Sequence, residues 1–246
     1  MTYKFDEKKH VHTLDGKRLH GVTSVLKMWG DPNPLLNWGV KQGVSHVEKC
    51  VKQQIKDGLD LRGTAWESIF DDARTAHLKV RDKAGDLGTI VHKQLEDLLT
   101  DYRDKMGCQY DNDTHECVKK VINWMSSNNI RPLELETHLH SREHWYGGYV
   151  DAIVEKDGKK YILDFKTSGT VQTKYFYQMG AYSLASKERT GENIDGVVIV
   201  HIPRGRSFNP EKNVYWRYDV EALECAWLNI LNTYKLDKDI QKLVKY

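Results

Sequence analysis

Two aspartates and a lysine on neighbouring predicted strands are the residues best placed to do chemistry. Asp164 and Lys166 are two residues apart in an apolar stretch, so on a strand both side chains project from one face. Asp151 lies on the preceding strand of a predicted hairpin. Two carboxylates suit Mg²⁺ or Mn²⁺, which polarise a phosphoryl oxygen and activate water, and a nearby lysine can stabilise the developing negative charge. The alternative is a solvated salt bridge on a polar strand face.

A second group lies on a predicted helix. Gly88, His92 and Glu96 are four residues apart and so share one narrow stripe at the edge of the apolar face. The absence of a side chain at Gly88 would let a ligand or another backbone approach the helix closely. The alternative is a partly buried histidine paired with the glutamate one turn later.

A third group follows the Asp164 strand. Tyr175, Gln178 and Tyr182 share a helix face at spacings of three and four. An amide and two phenolic rings suit contacts to a nucleotide or to the candidate lysine. Aromatic core packing is the alternative for this face.

The elements that must position these groups follow from hydrophobic periodicity. Apolar residues recur at three and four residues over 86–100, and the period changes to two after Pro132, with an Asp157-Gly158 turn between two strands. The predicted elements are a helix at 86–100, a helix at 114–127, strands at 133–140, 149–154 and 161–165, a helix at 173–187, strands at 197–202 and 214–218, and a helix at 221–236. This order predicts an α/β domain with a mixed sheet.

The N-terminal third has a different pattern. Short strands are expected within 1–27 around Asp15-Gly16, and a helix is expected to open at Pro34 after the Asp31-Pro32-Asn33 break. Helical patterning then continues with interruptions near Gly58, Gly63 and Gly85. We therefore expect an N-terminal strand and helical region at 1–85 and a core at 86–246, within one continuous domain.

Composition excludes several classes of protein. The 246 residues carry 37 Lys and Arg against 35 Asp and Glu, a net charge of +2, so any nucleic-acid-binding charge must be local. No stretch approaches a membrane span, and the charged start is unlike a secretory signal, which predicts a cytoplasmic protein without a membrane partner. The cysteines at 50, 108, 117 and 225 include no closely spaced pair, which disfavours a zinc ribbon or an iron-sulfur cluster.

Taken in order, these three groups resemble the PD-(D/E)XK nuclease superfamily, and specifically its RecB-like exonuclease branch, with phage-type and mitochondrial single-strand exonucleases among the similar members. The helical G-x-x-x-H-x-x-x-E motif looks like Gly88 to Glu96, and the acidic-x-Lys motif looks like Asp164-Phe165-Lys166. The first acidic position matches Asp151, preceded by Val150 where many members have Pro. The Q-x-x-x-Y motif matches Gln178 and Tyr182. The matched stretch, 88–182, covers less than half of the chain.

The resemblance implies a restriction-endonuclease-like αβββαβ core with a mixed central sheet and an N-terminal helical extension. It implies a Mg²⁺- or Mn²⁺-dependent deoxyribonuclease, an exonuclease acting on single-stranded DNA or strand ends in replication, recombination or repair, with one or two ions. The metal ligands would be His92, Asp151, Asp164 and the Phe165 carbonyl, and Lys166 would be catalytic together with the two aspartates. The residues expected to bind substrate or support the site are Glu96, Tyr175, Gln178 and Tyr182. An iron-sulfur cluster is not expected, because only Cys225 lies downstream of the core motifs.

Other interpretations stay open. The same chemistry serves a structure-specific endonuclease or resolvase, and a nucleic-acid-binding module can retain a degenerate nuclease core. A zinc site from His138, His140 and His144 is a further alternative, although alternation on a strand also explains the first two. Aromatic and basic residues of the N-terminal region could grip a strand, or pack and solvate as ordinary helix residues; these are Trp29, Trp38, Lys41 and Arg62.

Overall fold

The structure is a computed structural model of the 246-residue chain. It describes residues 2–29, 33–105, 108–203 and 207–244, apart from the side chains of Pro34, Ala84 and Leu87. The predicted break at Asp31 and Pro32 lies outside the described residues. The helix expected after it begins at Asn33.

The described residues form a mixed α/β fold. The strands are β1 (Tyr3–Asp6), β2 (Val11–Leu14), β3 (Lys17–Arg18), β4 (His20–Gly21), β5 (Arg131–Ser141), β6 (Tyr146–Lys156), β7 (Lys159–Lys166), β8 (Gly196–His201) and β9 (Val214–Arg217). The helices are α1 (Val22–Leu26), α2 (Asn33–Lys56), α3 (Trp66–Lys105), α4 (Glu116–Ser127), α5 (Thr173–Thr190), α6 (Pro210–Asn213) and α7 (Val220–Leu243), with a short 3-10 helix at Leu61–Gly63.

The main sheet is mixed, as the element order predicts. Its strand order is β4-β6-β7-β8-β9. β5 lies off this path and pairs with β6. β7 and β8 are parallel, whereas β5, β6 and β7 form an antiparallel meander. The parallel pair requires a crossover, which α5 supplies. A separate small sheet contains β1, β2 and β3.

Helices cover both faces of the main sheet. On one face α1, α5 and α7 bury an apolar cluster around Trp227, and on the other α4 and residues 91–99 of α3 bury a second cluster around Met125. β8 is buried along its whole length, which agrees with its unbroken apolar sequence. The candidate site residues of β6 and β7 therefore lie on strands that are covered on both faces.

The chain divides into two compact units, with boundaries that differ from the expected ones. Residues 1–30 and 91–246 form one unit, and 31–90 form the other. The first 30 residues of the expected region 1–85 lie in the unit that holds 91–246, where β4 pairs with β6 in parallel and α1 packs in the Trp227 cluster. Pairing between strands this distant in sequence leaves no local pattern.

Some local predictions hold and others fail. Both Asp-Gly turns form with positive φ at each residue, at Asp15-Gly16 and at Asp157-Gly158. The interruption expected at Gly85 does not occur, since α3 continues through it; one glycine weakens a helix by only about 1 kcal/mol. The alternation of β5 is interrupted by a register shift between Pro132 and Glu134, which leaves Leu133 exposed.

Within the described ranges, no helix combines the length and the apolar character that crossing a membrane requires.

Candidate active site

Strand β7 holds Asp164 and Lys166 at its carboxyl end. Asp164 is 1% exposed, and its Oδ2 forms an ion pair with the Lys166 ammonium. The parallel partner β8 places Ile199 and His201 beside these two residues. Because a buried carboxylate is stable only when it is paired, Lys166 is the cation that offsets the charge of Asp164. The predicted pair on one strand face is present.

Asp151 is joined to the same strand through a backbone hydrogen bond. Its Oδ2 accepts a hydrogen bond of 2.7 Å from the backbone N–H of Phe165, the residue between Asp164 and Lys166. This bond connects β6 to β7 just beyond their last paired residues, Ala152 and Leu163. The carboxylates predicted on adjacent strands therefore lie in one site.

The charges of this group shift one another. Burial raises the pKa of Asp151 well above its ordinary value, and the Asp164 carboxylate raises it further, against the opposing effect of Lys166. Burial acts to lower the pKa of Lys166, but Asp164 and Asp151 outweigh it, and the net pKa is raised. Lys166 is therefore an ammonium ion at neutral pH, suited to stabilising negative charge rather than to taking a proton.

His92 lies beside the aspartates, and Glu96 does not join them. The His92 Nδ1 is 3.9 Å from the Asp151 Oδ2, too long for a hydrogen bond. Burial lowers the pKa of His92, against the nearby Asp164, so the imidazole is neutral and keeps a free lone pair. The Glu96 carboxylate instead meets Lys93 Nζ at 3.2 Å on its own helix.

The helix α5 contributes the three residues of the predicted face. Gln178 Nε2 donates to the Tyr182 hydroxyl at 2.6 Å, and both side chains are buried. The Lys166 Nζ lies 5.0 Å from the centre of the Tyr175 ring, a cation–π contact. Tyr175 therefore positions the lysine, while Gln178 and Tyr182 line the same pocket as Asp151 and Asp164.

Glu136 is an acidic neighbour that sequence reasoning missed. The register of Leu135 with Ala152 and of Thr137 with Val150 places Glu136 opposite Asp151. Its φ of 47° is left-handed. Burial raises the pKa of Glu136, and its charge in turn raises that of Asp151. The alternation of β5 predicts only that Glu136 lies on a polar strand face. It does not predict that Asp151 lies opposite on β6.

The site opens into a cavity of about 690 Å³. Asp151, Asp164 and Lys166 line one part of it, and residues of the N-terminal hairpin and of α1 line another. This volume lies in the range typical of small-molecule and cofactor sites.

The carboxylates fit a hard divalent cation of the kind Mg²⁺ represents. Across the described ranges, no group of three or more His, Cys, Asp or Glu side chains is placed to hold a metal ion, so His92, Asp151 and Asp164 do not form the expected three-side-chain cluster. Mg²⁺, however, is usually held by one or two carboxylates, with water and phosphate oxygens as the other ligands. Burial and, after it, the charge of Asp164 raise the pKa of Asp151, and a bound cation would oppose both effects.

The three histidines of the alternative zinc site are separated. His138 packs between Phe5 and Tyr149, His140 stacks on Tyr3 at 4.5 Å, and His144 pairs with Glu143 in the turn before β6. Tyr3 also lies near His138, with ring centres 6.2 Å apart, but among the described residues these histidines form no group that could hold a metal ion. The positions of His138 and His140 follow from the alternation of side chains along β5.

The residues considered for gripping a strand are divided between the two units. Trp29 meets the edge of Tyr177, in the unit that holds the candidate site. Trp38 meets the edge of His77, and Arg62 pairs with Asp60, both within 31–90. Lys41 is exposed on α2.

Comparison with known proteins assigns no family. No protein-family model matches the chain, and no curated protein matches it. A solved structure described as "Crystal structure of SSO0001" is similar, with 17% identity over 83% of this chain and 84% of that chain, and a TM-score of 0.37. A likeness of that size carries no argument about function.

Proposed function

We propose that the protein is a Mg²⁺- or Mn²⁺-dependent deoxyribonuclease of the PD-(D/E)XK superfamily, an exonuclease of the RecB-like branch that acts on single-stranded DNA or strand ends. The observation that carries the proposal is the hydrogen bond from Phe165 N–H to Asp151, which joins the first aspartate to the Asp164–Lys166 pair. The element order α4, β5, β6, β7, α5 and β8 supports a restriction-endonuclease-like αβββαβ core.

The two aspartates would hold the ion, with the His92 imidazole and the Phe165 carbonyl as further ligands. When bound, the ion supplies Lewis-acid polarisation of the phosphate and a lowered pKa for water. Asp151 must be ionised to serve as a ligand, so its raised pKa makes ion binding compete with a proton. Glu136, which shares this field, adds to the same competition.

Lys166 would act on the phosphate as a fixed cation. Its ion pair with Asp164 and its contact with the Tyr175 ring hold the ammonium in place. A preorganised charge of this kind stabilises negative charge that develops in the transition state, without reorganising at the moment of reaction. Gln178 and Tyr182 maintain the pocket wall behind it through their mutual hydrogen bond.

The test is a cleavage assay on linear single-stranded DNA, circular single-stranded DNA and duplex DNA labelled at either end. Each is incubated with Mg²⁺, with Mn²⁺ or with chelator, beside Lys166→Ala. Lys159→Ala is the matched control, since Lys159 is exposed at the other end of the same strand. We expect the native protein and Lys159→Ala to degrade linear strands when the ion is present and to spare circles. Lys166→Ala is expected to degrade neither. Cut circles would indicate an endonuclease, and no cleavage with either ion would contradict the proposal.

A binding measurement tests the ion site separately from activity. A ligand that binds only the folded chain raises its melting temperature. Millimolar Mg²⁺ or Mn²⁺ is expected to do so for the native sequence and much less for Asp164→Asn. An equal shift in both would place the ion elsewhere.

A further inference from the structure

Aromatic and imidazole rings line the cavity wall that is supplied by the N-terminal hairpin and the β5–β6 pair. Phe5 on β1, His12 on β2, His138 on β5 and Tyr149 on β6 all face the cavity that holds Asp151, Asp164 and Lys166. We call these four residues the ring wall. None of them belongs to the motifs that carry the proposed nuclease chemistry.

The rings of the ring wall are fixed by contact with one another. Ring centres are 4.7 Å apart for Phe5 and His138, 4.5 Å for Phe5 and His12, and 4.6 Å for His138 and Tyr149. The hydroxyl of Tyr3 is 2.6 Å from the His12 Nδ1. A preformed surface of this kind binds a flat ligand with little loss of side-chain entropy.

The backbone of β6 is shaped to accept the hairpin at this point. A Cβ added at Gly147 would lie 2.9 Å from the His12 Cγ, so the imidazole packs directly on the strand. Gly147 also pairs with Gly21 of β4, which follows the hairpin in the chain. The ring wall is therefore attached to the strand that carries Asp151.

The ring wall is partly open to the cavity. Tyr149 is 36% exposed and Phe5 is half-buried, although both line a cavity rather than a flat surface. The His138 Nδ1 is shielded from solvent and, among the described residues, has no hydrogen-bond partner. Burial lowers the pKa of His12 to about 4, so its ring is uncharged at neutral pH.

These features match one chemical class of ligand. A nucleobase offers a flat π-face for the exposed parts of the Tyr149 and Phe5 rings. Lys27 lines the same cavity and provides a cation for a neighbouring phosphate.

We propose that the ring wall binds the nucleobase adjacent to the phosphate that is held at Asp151, Asp164 and Lys166. This inference rests on the proposed nuclease function and adds a base-stacking subsite to it. Because every base has a π-face, the subsite tolerates any sequence and requires a base to be present and unpaired. It gives the N-terminal hairpin a direct part in substrate binding.

The test uses linear single-stranded DNA with one abasic nucleotide, cut with Mg²⁺ and resolved to single nucleotides. The native protein is expected to slow about tenfold at the one bond where the missing base would occupy the ring wall. Phe5→Leu keeps an apolar side chain and removes the π-face. It is expected to cleave all bonds about tenfold more slowly and to show no further slowing at the abasic nucleotide. Tyr218→Leu is the matched control, because Tyr218 is an exposed ring outside the cavity.

Each outcome decides the proposal. If Phe5→Leu does not fold, as judged by thermal unfolding, His138→Leu replaces it with the same expectation. Cleavage through the abasic nucleotide at an undiminished rate would overturn the subsite while leaving the nuclease function intact. If the native protein and the leucine variants slow equally at the abasic nucleotide, the ring wall does not bind the base. Absence of cleavage from every substrate would overturn the nuclease function itself, a result that the intact-DNA lanes distinguish.

Discussion

Asp151 Oδ2 accepts a hydrogen bond of 2.7 Å from the backbone N–H of Phe165, and this contact brings residues 14 positions apart into one site. The acceptor is on β6, and the donor lies between the two functional side chains of β7. The position of the first carboxylate therefore depends on the backbone of the second strand rather than on another side chain. Substitutions of the Phe165 side chain should disturb this contact less than substitutions at Asp151.

Lys166 is expected to contribute to stability as well as to cleavage. Lys166→Ala leaves the buried Asp164 carboxylate without its ammonium partner, and breaking such a pair lowers the free energy of unfolding by about 3 kcal/mol. Adding Asp164→Asn removes the unpaired charge and should recover part of the loss, while cleavage stays absent. Urea unfolding of the two variants measures this. A double variant no more stable than Lys166→Ala would contradict it.

Asp151 is expected to destabilise the fold at neutral pH. Its pKa is raised in the folded chain, so above the ordinary carboxyl range, about pH 4, the folded state binds more protons than the unfolded state. Stability attributable to this group therefore falls as pH rises from that range to the raised pKa. Asp151→Asn keeps an acceptor for Phe165 and should melt at a higher temperature than the native chain at pH 7, without cleavage.

The control for this prediction is the pH dependence itself. In the absence of divalent ions, the difference in melting temperature between Asp151→Asn and the native chain should be small near pH 4 and should grow toward pH 7. A difference that is constant with pH would mean that the ionisation of Asp151 is not its source.

Glu136 is expected to set the pH range of activity. Glu136→Gln keeps the size of the side chain and removes a negative charge that raises the pKa of Asp151. The acidic limb of the pH–rate profile should move to lower pH. Glu134→Gln, on the same strand but paired with Arg189, is the matched control and should leave the limb in place. Identical profiles for both variants would exclude an electrostatic part for Glu136.

Gly148 is expected to be intolerant of any side chain. A Cβ at this position would lie 2.4 Å from Tyr182 Cε1 and 3.0 Å from Val22 Cγ2. Gly148→Ala must displace the Tyr182 ring and its hydrogen bond to Gln178. Overpacking of this kind lowers the free energy of unfolding by about 1–3 kcal/mol. Cleavage should fall with it. Gly169→Ala, with no atom within 4 Å of its added Cβ, should behave as the native chain in both melting and cleavage.

Elements with strong local signals agree with the sequence prediction. The two Asp-Gly turns adopt positive φ because both residue types tolerate it, and β8 is buried on both faces because its apolar run has no polar alternation. α4 buries Val118, Val121, Ile122 and Met125 as the spacing predicts, although it begins at Glu116 with His115 as its N-cap. α7 runs to Leu243, beyond the predicted end at 236, because no breaker residue follows.

Local periodicity predicts that Asp164 and Lys166 share a strand face and that Gln178 and Tyr182 share a helix face, because side chains two apart on a strand, or four apart on a helix, project from one side. The folded chain was needed to show that Asp151 accepts a hydrogen bond from Phe165, that Glu136 opposes Asp151, and that Phe5 and His12 line the same cavity. The first two contacts depend on the register between neighbouring strands, and the third depends on the packing of segments more than 100 residues apart. Such pairings are selected by the burial of the whole sheet, and no local pattern of residues encodes them.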